Sequence, residues 1–289
     1  MARGGQRDSA ANVGGATRIV GIFGDPIDHT LSPRMHNAAY AALGLDYVYV
    51  PFRPPGRRLG AALAALPDLG VVGCNVTVPY KQKVVKHLSR ISKTARAIGA
   101  VNTVVCEGRR LIGDNTDAEG FTKSLVAAGV RPRGKRVLVI GAGGSARAVV
   151  HALTAGGAES IVLANRTVSK ARRLLAEVAP DNATARPGRL DLLTDRDFLA
   201  SRELVVNCTS VGLEGGAFVD YTVAATPADC LHFDLAYGRK PTAFLRAASR
   251  RRRPTVDGRH MLVHQGAAAF RLFTGRRAPV DVMLEAVGL

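Results

Sequence analysis

Residues 137–146 read Val-Leu-Val-Ile-Gly-Ala-Gly-Gly-Ser-Ala, and this stretch restricts the fold more than any other. An apolar run that suits a buried strand ends at Gly141, and Gly141, Ala142, Gly143, Gly144, Ser145 and Ala146 fit G-x-G-x-x-[G/A] ahead of a helical pattern. Glycines allow a tight turn and close approach of backbone to a ligand, and the helix start offers free N–H groups and a positive dipole to a pyrophosphate. With a strand before it, a helix after it and a further strand, SIVLA, beyond, the pattern predicts a dinucleotide-binding α/β unit. Gly141, Ala142, Gly143, Gly144 and Ser145 are its expected cofactor contacts.

The end of that next strand selects the dinucleotide. A site for NAD usually carries an acidic residue there, to accept from the ribose 2′-hydroxyl. This chain has Asn165, Arg166 and Thr167, then Lys170. Arg166 can stack on adenine and pair with a 2′-phosphate that a carboxylate would repel. NADP is the expected cofactor, with Asn165, Arg166, Thr167 and Lys170 on its adenosine side. The plainer role for Arg166 and Lys170 is that of solvated residues at a helix start.

A separate β-α alternation precedes this unit. RIVGIF, YVYVPF and VVGCNVTV read as strands, MHNAAYAALG and LGAALAALP as helices, with another helix expected after Pro79, and VNTVVCEGRRLIGDN as a hairpin turning at Glu107-Gly108. The whole predicts an α/β protein of two domains: an N-terminal α/β substrate domain with a mostly parallel sheet, and a Rossmann-like NADP-binding domain. The boundaries expected are a disordered tail over 1–17, a substrate and catalytic domain over 18–116 joined by C-terminal helices 259–289, and the nucleotide domain over 117–258. A chain of 289 residues has ample length for both cores.

Charge bears on partners. Forty Lys and Arg against 23 Asp and Glu give +17, and residues 239–277 alone hold eleven basic residues against one acid, Asp257. Such a balance raises nucleic acid as a partner. Aromatic content of 5%, no Trp and no basic-aromatic interleaving speak against it. The 250–253 arginine run reads as a solvated surface. No apolar run reaches membrane-spanning length, the start lacks a secretory pattern, and four scattered cysteines show neither disulfide nor zinc spacing, so a cytoplasmic protein is expected. His260 and His264 stand four apart, yet no HExxH glutamate or further ligand accompanies them, and no metal is expected.

GDPIDHTLSPRMHNAAY, GCNVTVPYKQ, IGAVNTVV, GDNTD, GAGGSAR, ANRT, NCTSVG, FDLAYG and DGRHMLVHQGAAAF occur in this order between about residues 18 and 285. In content and spacing they resemble the shikimate dehydrogenases, over nearly the whole chain. The resemblance implies reduction of 3-dehydroshikimate to shikimate with NADPH, a step toward chorismate and the aromatic amino acids. It makes Lys81 and Asp117 the acid/base pair, which a ketone oxygen receiving a proton requires. It places Thr30 and Ser32 on the substrate carboxylate, and Asn75, Thr77, Asn102, Asp117, Tyr237 and Gln265 on the rest of the substrate. Leu235, Gly258 and Met261 should border the nicotinamide.

The chain departs from the family at two places. Thr30 stands where many members have Ser, which keeps the donor and adds a methyl group. Arg259 and His260 stand where many have Leu-Gly, a bulky pair expected to alter cofactor fit, and a basic residue ahead of the Met also occurs in quinate/shikimate dehydrogenases. A quinate/shikimate or aminoshikimate dehydrogenase is therefore the alternative reading. A non-catalytic basic protein that binds anions or nucleic acid is the remote one. Small-molecule substrates, no nucleic acid, no membrane and a monomer or homodimer complete the expectations.

Overall fold

The computed structural model describes residues 13–211, 218–238 and 240–289. In chain order the first half holds β1 (Arg18–Phe23), α1 (Ser32–Ala42), β2 (Tyr47–Phe52), α2 (Leu59–Ala65), β3 (Val71–Val76), β4 (Arg90–Ile91), α3 (Lys93–Ile98), β5 (Thr103–Glu107) and β6 (Arg110–Asp114). Their strands form one sheet in the order β2-β1-β3-β5-β6-β4. β1 pairs parallel with both β2 and β3, whereas the β5–β6 hairpin enters antiparallel to β3, so this sheet is mixed at one side. β1 lies between β2 and β3, and the space beyond the ends of β1 and β3 is where sheets of this order take ligands. Thr30 and Ser32 follow the first of these strands, and Asn75 and Thr77 close the second.

The second half holds α4 (Asp117–Ala127), β7 (Arg136–Ile140), α5 (Gly144–Ala155), β8 (Ser160–Ala164), α6 (Val168–Val178), β9 (Ala185–Gly188), α7 (Arg196–Ala200), β10 (Leu204–Asn207), β11 (Leu231–Asp234), α8 (Ala243–Arg250), β12 (Thr255–Val256), α9 (Gly258–Thr274) and α10 (Val280–Ala286). Its sheet, β12-β11-β10-β7-β8-β9, is parallel throughout. β7, β8, β10 and β11 are buried over most of their length, which is why they read as continuous apolar runs. The strand order reverses between β7 and β10, the place where such sheets take ligands. α9 and α10 return to the first sheet: Val263, Phe270, Phe273 and Met283 share a core with Val20, Ile22, Tyr40 and Tyr49.

Two local expectations are corrected. The stretch after Pro79 is a run of turns ending in a 3₁₀ turn over Val85–His87, because the Lys81 carbonyl accepts from the Val101 N–H and is lost to any helix. The supposed tail is ordered from Val13: the Thr17 hydroxyl donates to Asp46 at 2.6 Å, and Gly14 donates back to Thr17. Residues 1–12 lie outside the described residues. The short strands β4, β9 and β12 are all edge strands with little pattern of their own, and Pro187 sits in β9 where an edge tolerates a missing donor.

Two buried histidines couple this fold to pH. His36 lies flat on Tyr49, ring centroids 4.3 Å apart, and among the described residues neither of its nitrogens has a hydrogen-bond partner. Burial pushes it down from 6.5 to about 3. His232, held between the Tyr221 hydroxyl and the Cys230 carbonyl, is pushed down to about 4, chiefly by burial. The unfolded chain takes protons on both below the ordinary histidine range while the native form refuses them, so stability falls as pH drops from 6.5. Asp234, raised by burial from 3.8 to about 6, works in the opposite sense over its own window and offsets one of the two. His36→Leu should therefore remove about 2 kcal/mol of the acid-side loss between about pH 6.5 and 4.5. Urea unfolding at both pH values measures it, and parallel behaviour of variant and wild type would contradict it.

Candidate active site

A connected polar cluster joins the two sheets. α4 starts two residues beyond the β6 strand, after Asn115 and Thr116, and its first residue, Asp117, is only 3% exposed. A carboxylate in the first turn suits the positive end of the helix. The Asp117 N–H donates to Asn115 Oδ1 at 3.0 Å. Its two carboxylate oxygens are divided: Oδ2 accepts from Lys81 Nζ at 2.6 Å and Oδ1 from Asn102 Nδ2 at 2.9 Å. Asn102 Oδ1 in turn accepts the Thr116 N–H at 2.8 Å and the Thr103 hydroxyl at 3.0 Å, and its amide nitrogen also reaches Gln265 Oε1 at 3.2 Å. Gln265 rides on α9 and is oriented by donating to the Leu262 carbonyl at 2.8 Å. Lys81, Asn102, Asp117 and Gln265 thus form one network drawn from a turn, a strand entry and two helices.

Asn75 is bound more tightly into the scaffold than its motif suggested. Its amide donates to the Asn102 carbonyl at 3.1 Å and to Thr103 Oγ1 at 3.0 Å, while its carbonyl oxygen accepts from Tyr49 at 2.8 Å. Thr30 and Ser32 hydroxyls lie 3.2 Å apart at the start of α1. Tyr237 comes to them from the loop after β11: burial raises its phenol, and the Thr30 hydroxyl and Leu31 backbone oppose that rise. Ser32 likewise bears on the buried Tyr49 hydroxyl. Thr77, half-buried, packs its methyl where a side chain on Gly24 would be, so that an added Cβ would collide with it. Polar contacts thus run from Thr30 and Ser32 through Tyr49, Asn75 and Asn102 to the Lys81–Asp117 pair.

On the other side of that pair lies the glycine turn. Gly141 has φ +96°, and an added Cβ would meet Thr209 Cγ2 at 2.6 Å, so only glycine fits. Nothing stands within 4 Å of a Cβ on Gly143, leaving open space in front of α5, whose N-terminus has no side-chain cap. Asn165 braces the turn by accepting the Ala142 N–H at 3.2 Å. Arg166, Thr167 and Lys170 are exposed beside it, and among the described residues neither Arg166 nor Lys170 pairs with a carboxylate. Open backbone donors next to two uncommitted cations are what a dinucleotide with an extra phosphate needs. The turn also touches the polar cluster: Lys81 Nζ is 3.5 Å from Ser145 Oγ, and a Cβ on Gly144 would lie 3.7 Å from the Lys81 side chain.

Gly258 abuts Leu235 so closely that an added Cβ would collide with the Leu235 carbonyl, and Met261 is buried one turn along α9. Arg259 and His260 follow Gly258 in the first turn of α9. Arg259 turns toward the C-terminus, bonding Asp257 at 2.9 Å and the Gly288 carbonyl at 3.0 Å, so its guanidinium is committed to the α10 end of the chain. Among the described residues no group of three or more His, Cys, Asp or Glu is placed to hold a metal, and no helix is long and apolar enough to cross a membrane.

Sequence reasoning passed over Tyr49, Thr103, Asn115 and Thr116. Asn115 and Thr116 stand within the GDNTD motif, and Tyr49 sits at an inward position of the alternating YVYV strand. Thr103 follows Asn102 and carried no separate signal.

Comparison with known proteins agrees with this geometry. The family profile described as the shikimate dehydrogenase substrate binding domain matches residues 22–104, that of shikimate / quinate 5-dehydrogenase matches 125–239, and that of the shikimate 5′-dehydrogenase C-terminal domain matches 258–287. A shikimate dehydrogenase (NADP(+)) of Symbiobacterium thermophilum is 43% identical over 273 residues, 93% of each chain. The crystal structure of shikimate 5-dehydrogenase from Thermus thermophilus in complex with NADP(H) and shikimate superposes with a TM-score of 0.83 at 36% identity, covering 93% of this chain and 98% of that one. Quinate dehydrogenase from Corynebacterium glutamicum in complex with NAD gives 0.86 at 31% identity, covering 94% and 98%. With two α/β sheets, a Lys–Asp pair between them and relatives of this identity along almost its full length, the chain belongs to the shikimate dehydrogenase family.

Proposed function

We propose that the protein is an NADP-dependent shikimate dehydrogenase, interconverting 3-dehydroshikimate and shikimate. The observation that carries this is the position of Lys81: its Nζ is 2.6 Å from Asp117 and 3.5 Å from Ser145 at the glycine turn. The same lysine therefore faces both the polar cluster and the expected cofactor. NADPH, when bound, supplies the hydride. Lys81 gives its proton to the ketone oxygen during reduction and takes the hydroxyl proton during oxidation. Asp117 holds the ammonium in place, and Asn102, occupying the other carboxylate oxygen, fixes the carboxylate. Thr30, Ser32 and Tyr237 present hydroxyls for the substrate carboxylate, with Asn75, Thr77 and Gln265 on the remaining polar groups.

Gly141 to Ser145 and the α5 N-terminus would receive the pyrophosphate. Asn165, Arg166, Thr167 and Lys170 would surround the adenosine 2′-phosphate, and Leu235, Gly258 and Met261 would border the nicotinamide. On this reading residues 18–116 with 259–289 serve the substrate and 117–258 the cofactor. The enzyme works in the cytoplasm, as a monomer or homodimer, with small molecules as its partners. Mixing the protein with shikimate and NADP should generate NADPH fluorescence continuously, and no turnover at millimolar shikimate would overturn the proposal.

A further inference from the structure

Segment 98–102 supports the Lys81–Asp117 pair, and one of its anchors comes from the cofactor helix. Arg147, the fourth residue of α5, is only 6% exposed. Its Nε donates to the Ile98 carbonyl, at the C-terminus of α3, at 2.5 Å, and its Nη1 pairs with Glu177 of α6 at 2.7 Å. A cation on the last carbonyls of a helix is favourable, and the planar fork fixes direction as well as charge. Gly99 makes the approach possible. Its φ is +68°, and an added Cβ would collide with Arg147 Nη2.

The residues just beyond Ile98 each hold part of the site. The Ala100 carbonyl accepts from Asn115 at 2.9 Å, the Val101 N–H donates to the Lys81 carbonyl at 2.8 Å, and Asn102 donates to Asp117 at 2.9 Å. At its other end Arg147 is part of the helix whose second residue, Ser145, lies beside Lys81 Nζ. A buried arginine is costly to desolvate, and an apolar side chain would fill the same space. Its geometry serves register more than stability.

We infer that Arg147 is a positioning residue for the reaction: it sets the cofactor-bearing helix against the segment that orients Lys81 and Asp117. This rests on the dehydrogenase reading above. A misplacement of about 1 Å between reacting groups costs up to about 100-fold in rate. Arg147→Lys keeps the charge and loses the fork, while Gly99→Ala presses on the same contact from the opposite side. Each should lower kcat about 10-fold, leave KM for shikimate and NADP within about threefold, and raise the isotope effect on kcat with shikimate deuterated at the carbon that loses hydride. Their effects should be non-additive in the double variant. Glu177→Gln keeps the Ile98 bond and should stay within about twofold of wild type.

Thermal unfolding run in parallel separates a structural role. Variants with lowered Tm, unchanged kcat per folded enzyme and an unchanged isotope effect would overturn the inference. So would a Glu177→Gln loss equal to that of Arg147→Lys. Wild-type turnover of shikimate with NADP, measured first, tests the underlying reading separately.

Discussion

Lys81→Ala should lower kcat for shikimate oxidation by at least about 100-fold, equivalent to about 2.7 kcal/mol of transition-state stabilisation, with KM for shikimate changed little. The reasoning is geometric. Lys81 Nζ reaches both the Asp117 carboxylate and the Ser145 hydroxyl at the glycine turn, and its side chain is 11% exposed, so bulk water is a poor substitute for it. On the proposed reading the substrate's carboxylate and hydroxyls would meet other groups, Thr30, Ser32, Tyr237 and Gln265, which the substitution leaves in place. Binding should survive where proton transfer does not. Removing the lysine also leaves Asp117 buried with one oxygen unpaired. Steady-state kinetics alongside an unfolding curve distinguishes lost chemistry from a lost fold, and a variant of normal kcat would remove Lys81 from the proton-transfer role.

Arg166→Ala should raise KM for NADP by about 10- to 100-fold while KM for NAD stays within about twofold. A hydrogen bond to a charged group contributes about 1.5–3 kcal/mol, and only NADP carries the 2′-phosphate that would receive it. Arg166 is exposed at the end of β8 and unpaired with any carboxylate among the described residues, so the substitution disturbs little else. Lys170, also exposed in the first turn of α6, leaves part of the attraction in place, which is why the loss is bounded. An equal change in both KM values would show that Arg166 does not read the 2′-phosphate. Raised salt should weaken NADP binding by wild type more than by the variant.

Much of this arrangement is legible along the chain, for a physical reason. Gly141 follows a strand with the only residue type that fits against Thr209, and its neighbours are set by sequence spacing alone. Lys81 and Asp117 stand out through the motifs around them, NVTVPY and GDNTD, although nothing in those motifs states that the two side chains meet. That contact depends on the Val101–Lys81 backbone bond and on Asn102 bridging to α4. The same backbone bond is why the helix expected after Pro79 is absent from the fold. Asn75 illustrates a different limit: its type suits a polyol, but Tyr49, Asn102 and Thr103 already use most of its hydrogen-bonding capacity. Arg147 and Arg259 mark the limit most clearly. Each is a long side chain whose partner lies tens of residues away, at Ile98 and at Gly288, so no local pattern announces it.

The net charge of +17 needs the same distinction. Arg253 donates to the Thr226 carbonyl at 2.6 Å and Arg259 is committed to the C-terminal end, whereas Arg250, Arg251 and Arg252 stand exposed at the close of α8. Excess charge thus divides into structural ties and solvated surface, and the residues proposed to meet the 2′-phosphate, Arg166 and Lys170, are two of the forty.

The central claim, that this site oxidises shikimate with NADP, is tested most directly by kcat/KM for four pairings: shikimate or quinate, each with NADP or NAD. Shikimate with NADP should exceed every other pairing by at least about tenfold, the advantage over NAD matching the free energy of a charge-assisted phosphate contact. Faster turnover of quinate, or a preference for NAD, would contradict it.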